Sequence, residues 1–201
     1  MNSTAKIKSL NNIEYKACDF KPEVYFIGQI LGASNIYSKE GFFCDIYVEV
    51  GQDWKLLSSN SDIIQTHTAY SDYNNYVNFS HSFDFQYSVN TLNGWPKLIC
   101  KVWKLDSSSK IDIYSYGCCY LPNTYGHHEL EFNTWILQGG LKAEILSYYI
   151  NTNPKMNTVD PVAVNLKERK EILSKPGPTI HLYCDVLLKN FKFHSITGQI
   201  D

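Results

Sequence analysis

Three adjacent residues, His127, His128 and Glu129, are the side chains in this sequence best suited to acid–base or metal chemistry. The residues around them alternate as in a β-strand, where neighbouring side chains point to opposite faces of the sheet. The two imidazoles therefore cannot easily share one metal ion, because a tetrahedral site needs its ligands to converge. We interpret the three residues as part of an exposed strand edge.

Other catalytic patterns are absent from the sequence. The remaining histidines have no cysteine or aspartate at an orienting spacing; they are His67, His81, His181 and His194. There is no G-x-S-x-G elbow, no P-loop and no dinucleotide-binding glycine pattern. We predict that the protein is not an enzyme, since a small hydrolase would rest on scattered histidines alone.

Composition restricts the protein class further. The chain has 201 residues, of which 44% are hydrophobic, and a net charge of −2, so a globular domain is expected and a basic nucleic-acid-binding face is not. The N-terminus resembles no signal peptide and no run of about twenty apolar residues could span a bilayer, so we expect a cytoplasmic protein.

The six cysteines have no metal-site or disulfide spacing, and we interpret them as reduced core residues: Cys18, Cys44, Cys100, Cys118, Cys119 and Cys184.

Period-two alternation between turn residues predicts an all-β fold, an antiparallel sandwich of about eight strands. The predicted strands are 24–31, 42–50, 54–57, 63–70, 81–87, 97–103, 111–121, 127–132 and 179–188. Gly28 is expected at a bulge or at a close approach of two backbones. Residues 141–150 have helical spacing and open a helical and polar insertion at about 140–176. The predicted organisation is an N-terminal extension (1–21), one domain (22–193) and a C-terminal tail (194–201).

The segment from Val102 to Pro122 resembles the strand–loop–strand of C2-like sandwiches, whose loop carboxylates bind calcium. The resemblance aligns Asp45, Asp106 and Asp112 with calcium ligands, but it puts Lys39 and Lys104 where carboxylates would stand. Two unit charges 4 Å apart interact by about 4 kcal/mol at an effective dielectric of 20, so such a site would repel Ca²⁺. We predict a degenerate calcium loop without metal, with Asp45 and Asp112 as loop and turn residues.

Lipid binding without calcium is the other function that C2-like domains suggest. The matching strand of related domains carries lysines for phosphoinositides, whereas residues 64–69 contain no lysine. Strong capture of anionic lipid is therefore not expected, and weak peripheral contact with a membrane stays open.

A more specific resemblance extends over residues 22–193. The collinear motifs EVYFIGQILGA, WKLLS, GWP, VW, YG, LP, TW, TIHL and LLKNF are similar to those of the B9-domain family; they lie at 23–33, 54–58, 94–96, 102–103, 116–117, 121–122, 134–135, 179–182 and 187–191. The resemblance implies a non-catalytic C2-like domain without a cofactor.

The same resemblance implies partners and a location. Members of this family assemble with other B9-domain proteins, including the Meckel-syndrome member, in the transition zone at the base of the cilium. We therefore expect a scaffold subunit of that complex, which supports ciliogenesis and the ciliary gate. Trp54 and Trp95 lie beside turns, where they could cap the sandwich or contact a partner. The alternative is a stand-alone peripheral module that binds lipid or calcium.

Overall fold

The computed structural model describes residues 21–57, 63–138 and 173–191, which form antiparallel strands. The strands are β1 (Glu23–Ser34), β2 (Gly41–Glu49), β3 (Trp54–Leu56), β4 (Ile63–Gln65), β5 (Ala69–Tyr70), β6 (Val77–Val89), β7 (Lys97–Leu105), β8 (Ile111–Tyr120), β9 (Gly126–Leu137) and β10 (Ser174–Lys189). The predicted all-β class is confirmed. Among these residues no helix is long and apolar enough to cross a bilayer.

Hydrogen bonding joins the strands in the order β3-β6-β1-β10-β9-β8-β7-β2-β4, and β5 also pairs with β2. Within the described residues, β8 and β9 meet only where Tyr116 pairs with Trp135 and Gly117 pairs with Thr134. This narrow junction divides the path into a front half, from β3 to β9, and a back half, from β8 to β4. Both halves turn apolar side chains towards one common core, as in a sandwich.

Alternation along the strands fills that core. In β6 the row Phe83, Phe85 and Tyr87 is buried, with 2–3% of each residue exposed. In β10 Ile180, Leu182, Cys184 and Val186 are buried in the same way. Since successive side chains of a strand point to opposite faces, the intervening residues form the outer surface.

Gly28 lies in β1 at a close approach to both neighbouring strands, β10 and β6. A Cβ atom there would stand 2.1 Å from the carbonyl oxygen of Tyr183 and 2.8 Å from the Phe83 ring. The predicted close approach at this glycine is therefore confirmed. The bulge in β1 lies further on, between Ile30 and Gly32.

The predicted strand 63–70 is two strands, β4 and β5. The Thr66 hydroxyl accepts a hydrogen bond from the amide of Cys44 at 2.9 Å and donates to the carbonyl of His67 at 3.1 Å. The side chain thus takes the place of a backbone partner, and regular pairing with β2 stops there. The predicted insertion at 140–176 falls mostly outside the described residues, and the predicted domain boundaries stay a prediction.

Two groups of loops mark the ends of the sandwich. Loops 35–40, 71–76 and 106–110 lie at the upper end, because Ala33 pairs with Val77 and Gly41 pairs with Leu105. Loops 50–53, 90–96 and 121–125 lie at the lower end, where Lys97 pairs with Tyr120.

Candidate functional site

The upper-end residues that the C2-like resemblance aligns with a calcium site form ion pairs. Lys104, in β7, places its Nζ 2.9 Å from Oε2 of Glu40, and it pairs in register with Asp112 of β8. Lys110 places its Nζ 3.3 Å from Oδ2 of Asp112, whose exposed fraction is 4%. Two ammonium groups therefore neutralise the two carboxylates from within the chain. Glu40 was not predicted from the sequence as the partner of Lys104, although it adjoins Lys39.

Asp112 and Asp45 are not loop or turn residues, so that prediction was wrong. Asp112 is the second residue of β8, and Asp45 lies inside β2. Asp45 accepts hydrogen bonds from Nε1 of Trp103 at 2.6 Å and from Nε2 of Gln65 at 2.8 Å, which ties β2 to β7 and β4. These donors occupy both carboxylate oxygens, so Asp45 acts as a cross-strand link.

Asp106 shapes the loop between β7 and β8. Its Oδ1 accepts hydrogen bonds from the amides of Ser108 at 2.8 Å and Lys110 at 2.9 Å, while Ser109 has a left-handed φ of 62°. A carboxylate bound in this way stabilises a turn. Within the described residues no group of three or more histidine, cysteine or acidic side chains is placed to hold a metal ion.

His127 and His128 make hydrogen bonds with different parts of the fold, as expected for neighbouring residues of a strand. Nδ1 of His127 lies 2.8 Å from Oδ1 of Asp185, whereas Nε2 of His128 lies 3.0 Å from the carbonyl oxygen of Thr124. The two rings therefore have separate partners in different parts of the fold.

A second arrangement was missed from the sequence because its members come from three strands. His181 places Nε2 2.8 Å from Oγ of Ser34 and Nδ1 3.1 Å from Oε1 of Glu131. The order of groups is that of a serine–histidine–acid triad. However, the Glu131 side chain is 70% exposed, so water screens its charge. The amide of Ile36 is already bonded to the carbonyl of Asn75, so it is not available to an oxyanion.

The two candidate partner residues, Trp54 and Trp95, lie at the lower end. Trp54 is 5% exposed, donates from Nε1 to the carbonyl of Asn93 at 3.0 Å and meets Trp95 edge to face at 5.2 Å. Trp95 is half-buried and donates from Nε1 to the carbonyl of Leu121 at 2.8 Å. These contacts fit the capping alternative, and a partner contact at either residue stays a prediction.

The described cysteines are free thiols. Cys44, Cys100 and Cys184 are buried, as predicted for core residues, whereas Cys118 and Cys119 are half-buried and pack against the core. Burial raises the pKa of the Cys119 and Cys184 thiols to about 12, so both are protonated at neutral pH. Cys18 lies outside the described residues.

Comparison with known proteins places this fold in a family. A family model described as "Ciliary basal body-associated, B9 protein" matches residues 24–187. The chain belongs to the B9 family. Human B9 domain-containing protein 2 is 30% identical to this B9 chain over 87% of the chain and 98% of the human protein. The match therefore extends over almost the whole length of the human protein.

A more distant relative is much longer than the B9 chain. The mouse protein named "Tectonic-like complex member MKS1" is 26% identical over 75% of the B9 chain and 29% of its own length. Among solved structures, a C2 domain of plant Extended Synaptotagmin 1 matches over 86% of the chain and 98% of that domain, at 12% identity and a TM-score of 0.39. At that score the likeness adds nothing to the fold, which the strand pairing defines.

Proposed function

We propose that this B9 protein is a non-catalytic scaffold subunit of a complex of B9-domain proteins at the ciliary transition zone and basal body. Its partners in the proposal are other B9-domain proteins, including the Meckel-syndrome member. The observation that carries the proposal is the match to B9 domain-containing protein 2 along nearly the whole length of that protein. We expect the domain at residues 24–187 to act through its surfaces.

The ion pairs of the upper end support this proposal over the stand-alone calcium or lipid module. Lys104 and Lys110 place positive charge on Glu40 and Asp112, where a calcium site would need unpaired carboxylates. Residues 64–69 bring no lysine to the surface for an anionic headgroup.

Affinity purification of the tagged chain from ciliated cells tests the proposal. We expect two other B9-domain proteins, one of them of the MKS1 type, in amounts comparable to the tagged chain. The tag alone, expressed at the same level, is the control. Recovery of the chain alone or with lipid only would contradict the scaffold role and favour the membrane module.

The chain of hydrogen bonds from Ser34 through His181 to Glu131 favours a second candidate, a serine hydrolase. Labelling with a fluorophosphonate probe, with Ser34→Ala as the matched control, decides between the two. We expect no labelling that depends on Ser34, because the Glu131 carboxylate is exposed to water, which screens its charge. Labelling lost in Ser34→Ala would overturn the non-catalytic proposal.

A further inference from the structure

A second apolar cluster lies on the outer face of the back half, away from the common core. Three consecutive residues of β7, Leu98, Ile99 and Cys100, are 0%, 1% and 0% exposed. Because successive side chains of a strand point to opposite faces, β7 is buried on both faces. Leu98 and Cys100 belong to the common core, whereas Ile99 packs with Tyr116 and Leu137 in the second cluster, here named the outer cluster.

The outer cluster needs a cover beyond the sheet that carries it. The half-buried side chains packed against it come from the same sheet, from β2, β8 and β9; they are Tyr47, Ile113, Cys118 and Trp135. Neighbours within one sheet cover the flanks of a side chain and leave its outer end in water. Tyr116 and Leu137 are nevertheless only 4% and 8% exposed. Another layer therefore lies over this face.

β9 changes from a water-facing strand to a covered one along its length. Its outward side chains are first polar and exposed, at His127, Glu129, Glu131 and Asn133. Where β9 meets β8, the outward side chains become apolar: Trp135 is half-buried and Leu137 is buried. The cover thus begins at the end of β9, beside the point at which the chain leaves the strand.

The chain leaves and re-enters the sheet at one point beside the outer cluster. β9 ends at Leu137, and the amide of the next residue, Gln138, donates to the carbonyl of Leu173 at 2.9 Å. Residues 139–172 lie outside the described residues, and both of their ends are fixed at this contact. A segment tethered in this way is present at the outer cluster at a high effective concentration, which a separate molecule matches only by strong binding of its own.

Residues 141–150 have the pattern and the length that the outer cluster requires. Their helical spacing places Leu141, Ile145 and Tyr148 on one side. A helix over these residues would be about 15 Å long, and the four strands β2, β7, β8 and β9, about 4.8 Å apart, extend over about 14 Å. The apolar side of such a helix therefore matches the breadth of the cluster.

We propose that residues 141–150 form an amphipathic helix whose apolar side packs on the outer cluster, as a third layer of the domain. The inference is independent of the proposed function, because it concerns contacts within one chain. It also removes one face from those open to a partner, since the outer face of the back half is then occupied by the chain itself.

Two adjacent thiols report separately on the cover and on the fold. Cys118 packs against the outer cluster and Cys119 against the common core, and both are half-buried. The full chain is pulsed with iodoacetamide, and the labelling rate of each thiol is measured by tandem mass spectrometry. Loss of the cover alone should speed the labelling of Cys118, whereas unfolding should speed the labelling of both thiols.

Charges on the apolar side of the segment should detach it from the sheet. We expect Leu141→Glu/Ile145→Glu to raise the labelling rate of Cys118 at least about tenfold and to leave that of Cys119 unchanged, because carboxylates are costly to bury. Ser147→Glu is the matched control; it adds a charge on a different side of the same helical spacing and should change neither rate. An unchanged Cys118 rate in the double variant, or an equal rise in the control, would overturn the inference.

Cross-linking of the unmodified chain decides alone if the double variant unfolds. Lys101 lies on the outer face of the back half, with its ammonium 5.4 Å from the centre of the Tyr47 ring, whereas Lys55 lies in β3 at the edge of the front half. With an amine-reactive cross-linker, we expect Lys142 to be linked to Lys101 and not to Lys55. A link to Lys55 alone, or the absence of a link to Lys101, would contradict the packing.

An equal mixture of isotope-labelled and unlabelled chains identifies which molecule supplies the cover. A link between Lys101 and Lys142 of the same isotope supports packing within one chain. A link found only between chains of different isotopes would assign the cover to a second copy and overturn the inference. If the purified, unmodified chain labels Cys118 as fast as the urea-unfolded chain does, the chain supplies no cover and the inference is likewise overturned.

Discussion

At the scale of single residues, Trp54 is a large buried side chain whose indole N–H has a hydrogen-bond partner. It fills the lower end of the core, with its ring against Tyr87 and Trp95 and its indole N–H bonded to the carbonyl of Asn93. Trp54→Ala should lower the free energy of unfolding by about 3–5 kcal/mol, because the cavity left behind cannot collapse fully. Urea denaturation measures the change, and Trp54→Phe, which keeps most of the ring, should cost clearly less. Equal stability of the alanine variant would mean that the residue is available for partner contact.

Gly28 leaves no room for a larger side chain, because atoms of the neighbouring strands lie close to it. Gly28→Ala would place a methyl group 2.1 Å from the carbonyl oxygen of Tyr183, a backbone atom that cannot rotate away. We expect a loss of stability of about 3 kcal/mol or more, since overpacking shifts β1 against β10. Ser82→Ala, on the exposed face of the adjoining strand, is the control and should be near neutral. A stable Gly28→Ala variant would contradict the close approach.

At the scale of elements, strands were predicted where their side chains alternate and missed where another part of the fold decides. Residues 81–87 alternate cleanly and are a strand, because one face of β6 is buried. The break at Thr66 depends on a hydroxyl that reaches Cys44 in another strand, which no local pattern shows. The extension of β10 across Pro176 to Pro178 was also missed, because its register shifts there, where prolines are tolerated.

The candidate site could likewise be predicted where it depends on local sequence, but not where it depends on which strands pair. The prediction that Lys104 stands in place of a carboxylate needed sequence spacing alone, because β7, β8 and the loop between them are consecutive in the chain. Glu40 as the partner of Lys104 depends on the pairing of β2 with β7, and the contact between Ser34 and His181 on the pairing of β1 with β10. Such pairs are set by sheet order, which single-sequence patterns do not contain. The burial of Trp54 could likewise not be predicted from the turns that flank it.

Hydrogen exchange can test the unequal pairing of the strands. β1 has a neighbour on each side from Glu23 to Ala33, whereas residues 126–132 of β9 pair with β10 alone within the described part of the chain. We expect the β1 amides to exchange slowest and the amides of 126–132 to alternate between slow and fast, as at an edge strand. NMR measures both. Uniform protection along 126–132 would show that another segment covers that edge.

At the scale of the whole molecule, stability should not depend on calcium. A ligand present at a hundred times its Kd adds about 2.7 kcal/mol to folding, which a thermal melt resolves easily. Because Lys104 and Lys110 already neutralise Glu40 and Asp112, we expect the same melting temperature with millimolar Ca²⁺ as with EDTA. Mg²⁺ at equal concentration controls for ionic strength. A rise in melting temperature specific to Ca²⁺ would restore the calcium-dependent alternative.

The pairing of the first described strand with the last has a consequence for how the protein is made. Glu23 meets Lys189 across 166 residues of chain, and Gln29 meets Tyr183 across 154. At roughly 5–20 residues per second, a ribosome that has released β1 needs on the order of 10–30 s more before β10 emerges. During that interval β1 lacks one of the two strands that pair with it. The nascent chain is therefore exposed to misfolding until β10 has been synthesised, and a premature stop codon before β10 would remove one of the two strands that pair with β1.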